Sequence, residues 1–246
     1  MIEKLHMKYS LFFSFLILAS AGFSQAYQPA LTQSNEFNVF LKAGGGGTAA
    51  FKTSLASEDG TSQFFLPDWE SGEVITINNQ IFYDGLVFAY DKVRQELFIR
   101  KKDSSDILTG NKEEIKSFSL KDGNQGQYHF INSKMYTAKK PEVYYQQLVY
   151  DSAKLSLLKL NSCTFVRADP TDMMKQKQGA AKDAFVDSYS YYIVKGNNEP
   201  HPVQLKNKSV KKTLTDLNVS PDAYLNEHPG QIDEDYLIAM IKKLNQ

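Results

Sequence analysis

Between residues 63 and 160 the chain is a succession of short apolar segments cut by turn-forming clusters, and that punctuation limits the fold more than any other feature. Val74, Thr76 and Asn78 alternate with Ile75 and Ile77, and Asn78-Asn79-Gln80 supplies a tight turn before Ile81-Phe82-Tyr83. Residues 86–90 and 97–100 flank the polar stretch 91–95 as a second hairpin. Further strand candidates are 115–120, 127–131, 143–150 and 155–160, with turn signals at Lys121-Asp122-Gly123-Asn124 and Asp151-Ser152-Ala153-Lys154. The segments are rich in the β-branched and aromatic residues that suit a pleated, half-buried surface. Repeated short strands of this kind predict a mainly β fold, an antiparallel sandwich, roll or open barrel.

Residues 166–187 break the pattern, being polar and charged around Pro170, Met173 and Met174. They read as a long, mobile excursion. Residues 188–194 and 202–206 then form a returning hairpin across Lys195-Gly196-Asn197-Asn198. Past Asn207 the period changes from two to about 3.6. Val210, Leu214 and Leu217 make one stripe, and Leu237, Met240, Ile241 and Leu244 make another. Ser220-Pro221-Asp222 is a helix start in which Ser220 caps and Pro221 takes the first helical position. Asp233-Glu234-Asp235 opens the last helix and Lys242-Lys243 closes it, an order that complements the helix dipole. The expected end of the fold is a small C-terminal cluster of short α-helices over residues 207–246.

Residues 1–26 follow a different logic. Lys4 and Lys8 precede the apolar run Leu11, Phe12, Phe13, Phe15, Leu16, Ile17 and Leu18, and small residues Ala19, Ser20, Ala21 and Gly22 come next. That is the order of a secretory signal peptide, and the run falls short of the ~20 residues needed to span the hydrocarbon core. Cleavage is expected after Ser24 or Ala26, with translation starting at Met1 or Met7. Residues 27–60, which include Gly44 to Gly47, read as a flexible leader. The glycines are not followed by Gly-Lys-Thr at the spacing of a phosphate-binding loop. The remainder, 61–246, is expected to form one β-rich domain with no membrane span once the signal is removed.

Composition then narrows the function classes. The chain of 246 residues carries 28 basic and 28 acidic side chains, and losing Lys4, Lys8 and Glu3 leaves 26 and 27. A neutral surface argues against nucleic acid as a partner, since phosphate neutralisation drives that binding. One cysteine, Cys163, excludes an intramolecular disulfide and any cluster of thiolates, and it reads as a core-filling residue. The mature histidines, His129, His201 and His228, lie 72 and 27 positions apart, so no local metal-ligand spacing is present. Ser209-Val210-Lys211-Lys212 matches the Ser-x-x-Lys pattern of penicillin-recognising enzymes, but their Ser-Asp-Asn and Lys-Thr-Gly partners are missing. No catalytic residue, cofactor or metal is assigned.

Two sets of side chains remain. Asp84, Asp91 and Glu96 flank one hairpin, and a glycosidase needs two carboxyl groups ~5 to 9.5 Å apart, yet aspartates at turns commonly bond the local backbone instead. Tyr144-Tyr145 and Tyr189-Ser190-Tyr191-Tyr192 sit on strands, where one of each adjacent pair should face away from the core. These five tyrosines, Tyr144, Tyr145, Tyr189, Tyr191 and Tyr192, are the candidate binding residues, because a large amphipathic ring suits stacking on sugars or a protein interface. Cross-strand packing is the simpler account of them.

Longer stretches carry a resemblance. The run from Phe64 through Leu66-Pro67-Asp68-Trp69-Glu70-Ser71-Gly72-Glu73-Val74, then Phe88-Ala89-Tyr90-Asp91-Lys92-Val93-Arg94-Gln95-Glu96-Leu97, Ile115-Lys116-Ser117-Phe118-Ser119-Leu120, residues 144–160 and residues 233–245 resemble a group of secreted, β-rich, uncharacterised proteins of Bacteroidetes-type bacteria. The resemblance implies a Gram-negative location (periplasmic, outer-membrane-associated or secreted) and a mostly β fold, and brings no catalytic residue with it. The expected function is a non-catalytic envelope or secreted module that binds or scaffolds a protein partner. A carrier of a small apolar ligand in a β-barrel or cup and a carboxylate-dependent glycan hydrolase are the alternatives.

Overall fold

The computed structural model describes residues 61–123, 126–137, 142–168 and 182–246. The expected signal peptide and the 27–60 leader lie outside them. The described residues are mainly β, with two antiparallel sheets, an open and unclosed larger one among them, and three short C-terminal helices.

The strands are β1 (Gly72–Thr76), β2 (Ile81–Phe82), β3 (Leu86–Asp91), β4 (Glu96–Lys101), β5 (Leu108–Thr109), β6 (Ile115–Asp122), β7 (Gly126–Asn132), β8 (Tyr144–Val149), β9 (Leu155–Val166), β10 (Ala184–Lys195) and β11 (His201–Val203). Eight form the larger sheet in the order β11-β10-β9-β8-β7-β6-β1-β2, and the others form the sheet β3-β4-β5. From β6 to β11 the larger sheet is a plain meander. Short turns join β6 to β7, β8 to β9 and β10 to β11, as antiparallel neighbours allow, whereas β7–β8 and β9–β10 are joined by longer connections. The turns are where the residue types demand them: Asn79 and Gln95 both adopt positive φ, 61° and 57°, ending β1 and the loop between β3 and β4. Gly72 allows β1 to lie against β6, because a Cβ there would collide with the Ser119 carbonyl oxygen.

Register identifies which side chains share a face. Phe118 pairs with Phe130, Phe130 with Gln146, Gln146 with Lys159, Lys159 with Tyr191 and Tyr191 with Val203, so these residues line one side of the larger sheet. The small sheet covers one end of that side. Phe118 and Phe130 stack at 4.6 Å, and Tyr90 of β3, Tyr144 and Phe65 close around them at 5.0 to 5.4 Å. Tyr90, Phe130 and Tyr144 are at most 1% exposed. This ring packing fills the space between the sheets at that end.

The helices cover the other end of the same side. They are α1 (Asn207–Asp216), α2 (Asp222–Glu227) and α3 (Glu234–Leu244). Val210, Leu214 and Leu217 and then Leu237, Met240 and Ile241 bury against Val149, Leu155, Leu157, Ile193 and Val203, which is the two-stripe pattern read from the sequence. Asp233 caps α3 by accepting the Tyr236 amide at 2.9 Å. Beyond α3, the Asn245 side-chain amide bonds both the amide and the carbonyl of Leu155, at 3.0 and 2.8 Å, in the manner of a strand neighbour.

Two expectations are corrected. Residues 166–187 are not one excursion: β9 runs to Val166, β10 begins at Ala184, and Phe165 packs on Phe185 at 5.0 Å, while residues 169–181 lie outside the described part. Serine 220 does not cap α2. That helix begins at Asp222 with Pro221 in the cap position and no side-chain cap bond, because Pro221 takes up a helical backbone conformation one residue before the first turn.

Candidate functional site

Between the small sheet and the helices, the shared face of the larger sheet is polar. Along β9 it presents Lys159, Asn161 and Cys163, and opposite them on β10 stand Tyr191, Tyr189 and Asp187. These are alternate residues of paired strands, so the pleat alone puts them on one side.

Two carboxylates organise this strip, and each takes one lysine and one tyrosine. Glu234, at the start of α3, accepts from Lys159 Nζ at 2.6 Å and from the Tyr191 hydroxyl at 2.6 Å. Asp187 accepts from Lys92 Nζ at 2.6 Å and from the Tyr189 hydroxyl at 3.3 Å. Lys159 joins the two groups, because its ammonium lies 4.2 Å from the centroid of the Tyr189 ring, within cation–π range. Gln95 ties the strip to the small sheet. Its amide donates to the Asn161 and Lys92 carbonyls, both at 2.8 Å, and its carbonyl oxygen accepts the buried Tyr90 hydroxyl at 2.6 Å. Asn161 in turn donates to Gln146 at 2.9 Å.

The electrostatics hold the phenols protonated. Burial, followed by the Glu234 carboxylate, pushes the Tyr191 hydroxyl well above its ordinary value. Tyr189 moves the same way through desolvation and then Asp187. Each phenol therefore donates to a carboxylate at neutral pH, and each carboxylate is already engaged by an ammonium. Cys163, 7% exposed, is pushed up to about 11, first by burial and then by its hydrogen bond to Asp187. A thiol so protonated is a poor nucleophile, in line with a space-filling residue.

The five tyrosines separate into three environments. Tyr144 is interior, beneath the small sheet. Tyr145 faces the opposite side of the larger sheet, where it packs 5.1 Å from Tyr192; it is 8% exposed, with its hydroxyl pushed up to about 12 by burial. Neither member of the Tyr144-Tyr145 pair faces solvent, because both faces of β8 are covered at that point. Tyr191 and Tyr189 belong to the polar strip, and Tyr189 alone of the five is half exposed, at 50%.

Of the predicted carboxylates, the register sets Asp91 directly opposite Glu96, with the Asp91 carboxylate taken up by the turn, and leaves Asp84 apart from both. Asp91 is fully buried at the end of β3, and its Oδ1 accepts the Val93 and Arg94 amides at 2.8 and 3.0 Å. Asp84 precedes the other end of that six-residue strand, roughly 20 Å away at the rise of an extended chain. That exceeds the ~9.5 Å that a glycosidase pair tolerates.

Reading the sequence missed Lys92, Lys159, Asp187 and Glu234. No short-range signal marks them, since Lys159 and Glu234 meet only when α3 docks on β9. Asp187 was within reach, because it alternates with Tyr189 and Tyr191 on β10.

The ribbon made by β9 and β10 also outgrows its neighbours. β8 pairs with β9 only between Leu157 and Leu160, and β11 pairs with β10 only between Tyr191 and Ile193. Residues 161–166 and 184–189 pair with each other beyond that point, and residues 186–190 are all exposed. Val186, at 51%, faces the side opposite Tyr189. Among the described residues no group of three or more potential metal ligands is found, and no helix is long and apolar enough to cross a membrane. No protein-family model, curated protein or solved structure matches this chain.

Proposed function

We propose that this chain is an exported, non-catalytic module that binds a protein partner through the overhanging end of the β9–β10 ribbon. The observation that carries the reading is the exposure of residues 186–190 on a ribbon whose inner face is pinned by Lys92–Asp187 and Gln95–Asn161 contacts. A surface held in one arrangement loses little freedom when a partner binds, and pre-organisation of this kind favours affinity. Tyr189 offers an aromatic anchor and Val186 an apolar one on the two sides. Aromatic residues are enriched at interface centres.

Export follows from the basic, apolar and small-residue order of residues 1–26. Together with the motif resemblance it supports a Gram-negative envelope or secreted location, in the company of the Bacteroidetes-type proteins. Tyr145 and Tyr192, paired with each other, are better suited to packing than to contact with a partner.

The test is crosslinking of the mature chain in envelope extract from the source bacterium, comparing the native protein with Tyr189→Ala, Val186→Asp and Tyr192→Phe. The reading expects a crosslinked protein that Tyr189→Ala and Val186→Asp lose and Tyr192→Phe keeps. Equal capture by all four proteins, or no capture, rejects it. Sequencing the N-terminus of the exported form tests cleavage after Ser24 or Ala26, and a chain retaining its first residues rejects the signal reading.

A further inference from the structure

A second surface, remote from the ribbon in the strand order, is an open, largely polar groove. Where the start of β1 meets the turn between β2 and β3, a groove of about 460 Å³ is lined by Glu73, Tyr83, Asp84, Gly85, Lys102 and Lys121 among others. That volume is within the range of ligand sites, ~300 to 1,000 Å³. Its walls are fixed by backbone bonds: Lys102 N to Gly85 O and Lys121 N to Ser71 O, both 2.8 Å, and Leu86 N to Tyr83 O at 3.3 Å. Gly85, at φ +67°, has no neighbouring atom within reach of a Cβ, so the turn presents bare backbone to the groove.

The chemistry of the lining selects among ligands. Lys102 and Lys121 supply donors, Glu73 and Asp84 supply acceptors, and the two signs balance. An apolar ligand would strip water from four charged groups without replacing their hydrogen bonds, which is costly. A phosphate- or sulfate-bearing ligand would meet two carboxylates beside the two ammoniums. A neutral polyhydroxyl compound meets neither penalty, because each hydroxyl both donates and accepts. The Tyr83 ring, 50% exposed, adds an apolar face with a polar tip, suited to the C–H face of a pyranose. We propose that this groove is a binding site for a neutral saccharide, with Tyr83 as the stacking platform and Asp84, Glu73, Lys102 and Lys121 as hydroxyl partners. The site is for binding: the proposal includes no bond-breaking step.

The proposal is tested by titrating the mature protein with the neutral trisaccharides maltotriose, cellotriose, triacetylchitotriose and mannotriose, into the millimolar range. Binding is followed by NMR shift changes and by fluorescence of the sole tryptophan, Trp69, two residues before Ser71. At least one trisaccharide should bind and shift the amides of residues 83–87. Tyr83→Ala and Asp84→Asn should each weaken that binding about tenfold or more while the urea unfolding midpoint holds, both residues being exposed. Tyr189→Ala should leave it unchanged, which separates this site from the ribbon. Binding by none of the four, binding untouched by Tyr83→Ala and Asp84→Asn, or tighter binding of a sulfated oligosaccharide at the same amides overturns the proposal.

Discussion

Replacing Asp91 by alanine removes a carboxylate that holds together three pieces of the small sheet. Its Oδ1 accepts the Val93 and Arg94 amides at 2.8 and 3.0 Å, shaping the turn, and its Oδ2 accepts the Gln63 side-chain amide at 3.0 Å. Hydrogen bonds to a charged group are worth about 1.5 to 3 kcal/mol each. The low end applies to the two turn amides, because Val93 and Arg94 are exposed and water replaces part of what is lost. Three bonds at that end come to about 4.5 kcal/mol. Relief of the desolvation borne by a fully buried carboxylate offsets part of this, so the expected net loss is about 2 to 3 kcal/mol. Asp91→Asn keeps a weakened Oδ1 acceptor for the turn amides, while its Nδ2 is a donor that no longer accepts from Gln63, for an expected loss of about 1 to 1.5 kcal/mol on the same scale. Urea unfolding followed by Trp69 fluorescence measures both, since Glu70, the next residue, pairs with Phe88 of β3. In a chain of this size each kcal/mol moves the melting temperature by about 2 to 4 °C. An Asp91→Ala protein within about 0.5 kcal/mol of the parent, the usual scatter of surface changes, would falsify the capping role. So would an asparagine variant as unstable as the alanine one.

The Tyr144 hydroxyl is buried without a hydrogen-bond partner, so Tyr144→Phe should leave the urea midpoint unchanged or raise it by the equivalent of about 1 kcal/mol; a clear loss of stability would show that the hydroxyl has a partner. Cys163, pushed up to about 11 from an ordinary 9, should react with iodoacetamide at pH 8 at least ~100-fold more slowly folded than unfolded, from thiolate fraction alone. Because the folded state retains this proton longer, the stability it contributes is complete below pH 9 and falls as the pH rises towards 11; native alkylation as fast as in urea would contradict the burial. Lys92→Met removes the ion pair to Asp187 while keeping the apolar stem, and should speed hydrogen exchange at residues 184–190 about tenfold with Ile193 and Val194 unaffected. Uniform acceleration along β10 would mean that the ribbon and the helical half open together.

The hairpins were legible because their short turns fall in clusters of polar, turn-forming residues. Asn79 and Gln95 occupy the positive-φ positions within stretches that composition marked as turns, and the helical stripes bury the residues their period picked out. The ends of β9 and β10 escaped for the opposite reason. Ser162, Thr164, Asp187, Ser188 and Ser190 lack the apolar alternation of a half-buried strand, since that part of the ribbon is exposed. The pairing of Cys163 with Asp187 spans a segment that no local pattern bridges. β5, two residues long, and the pairing of residues 64–70 with β3 offered too few positions for a period to register. The candidate strip was invisible as a unit, because Lys92, Lys159, Asp187 and Glu234 come from four elements, and only Tyr189 and Tyr191 carried a signal of their own.

Packing both the small sheet and the helices on one side of the larger sheet has a consequence for the strip between them. Apolar side chains there would have neither layer to bury against, and an exposed aliphatic stripe at that junction would invite association. Lysines solve this with a long apolar stem and a charged end, and here each charged end meets a carboxylate from a different element: Asp187 for Lys92, Glu234 for Lys159. Breaking a partly buried pair costs far more than the pair contributes, so the two lysines resist any arrangement in which small sheet or α3 shifts relative to β9 and β10. The same contacts fasten the inner face of the ribbon end and leave Tyr189 in reach of solvent. A surface of this kind arises from the layer arrangement itself, which is why the fold places a binding candidate at the ribbon end and keeps the more deeply buried tyrosines, Tyr144 and Tyr145, as packing.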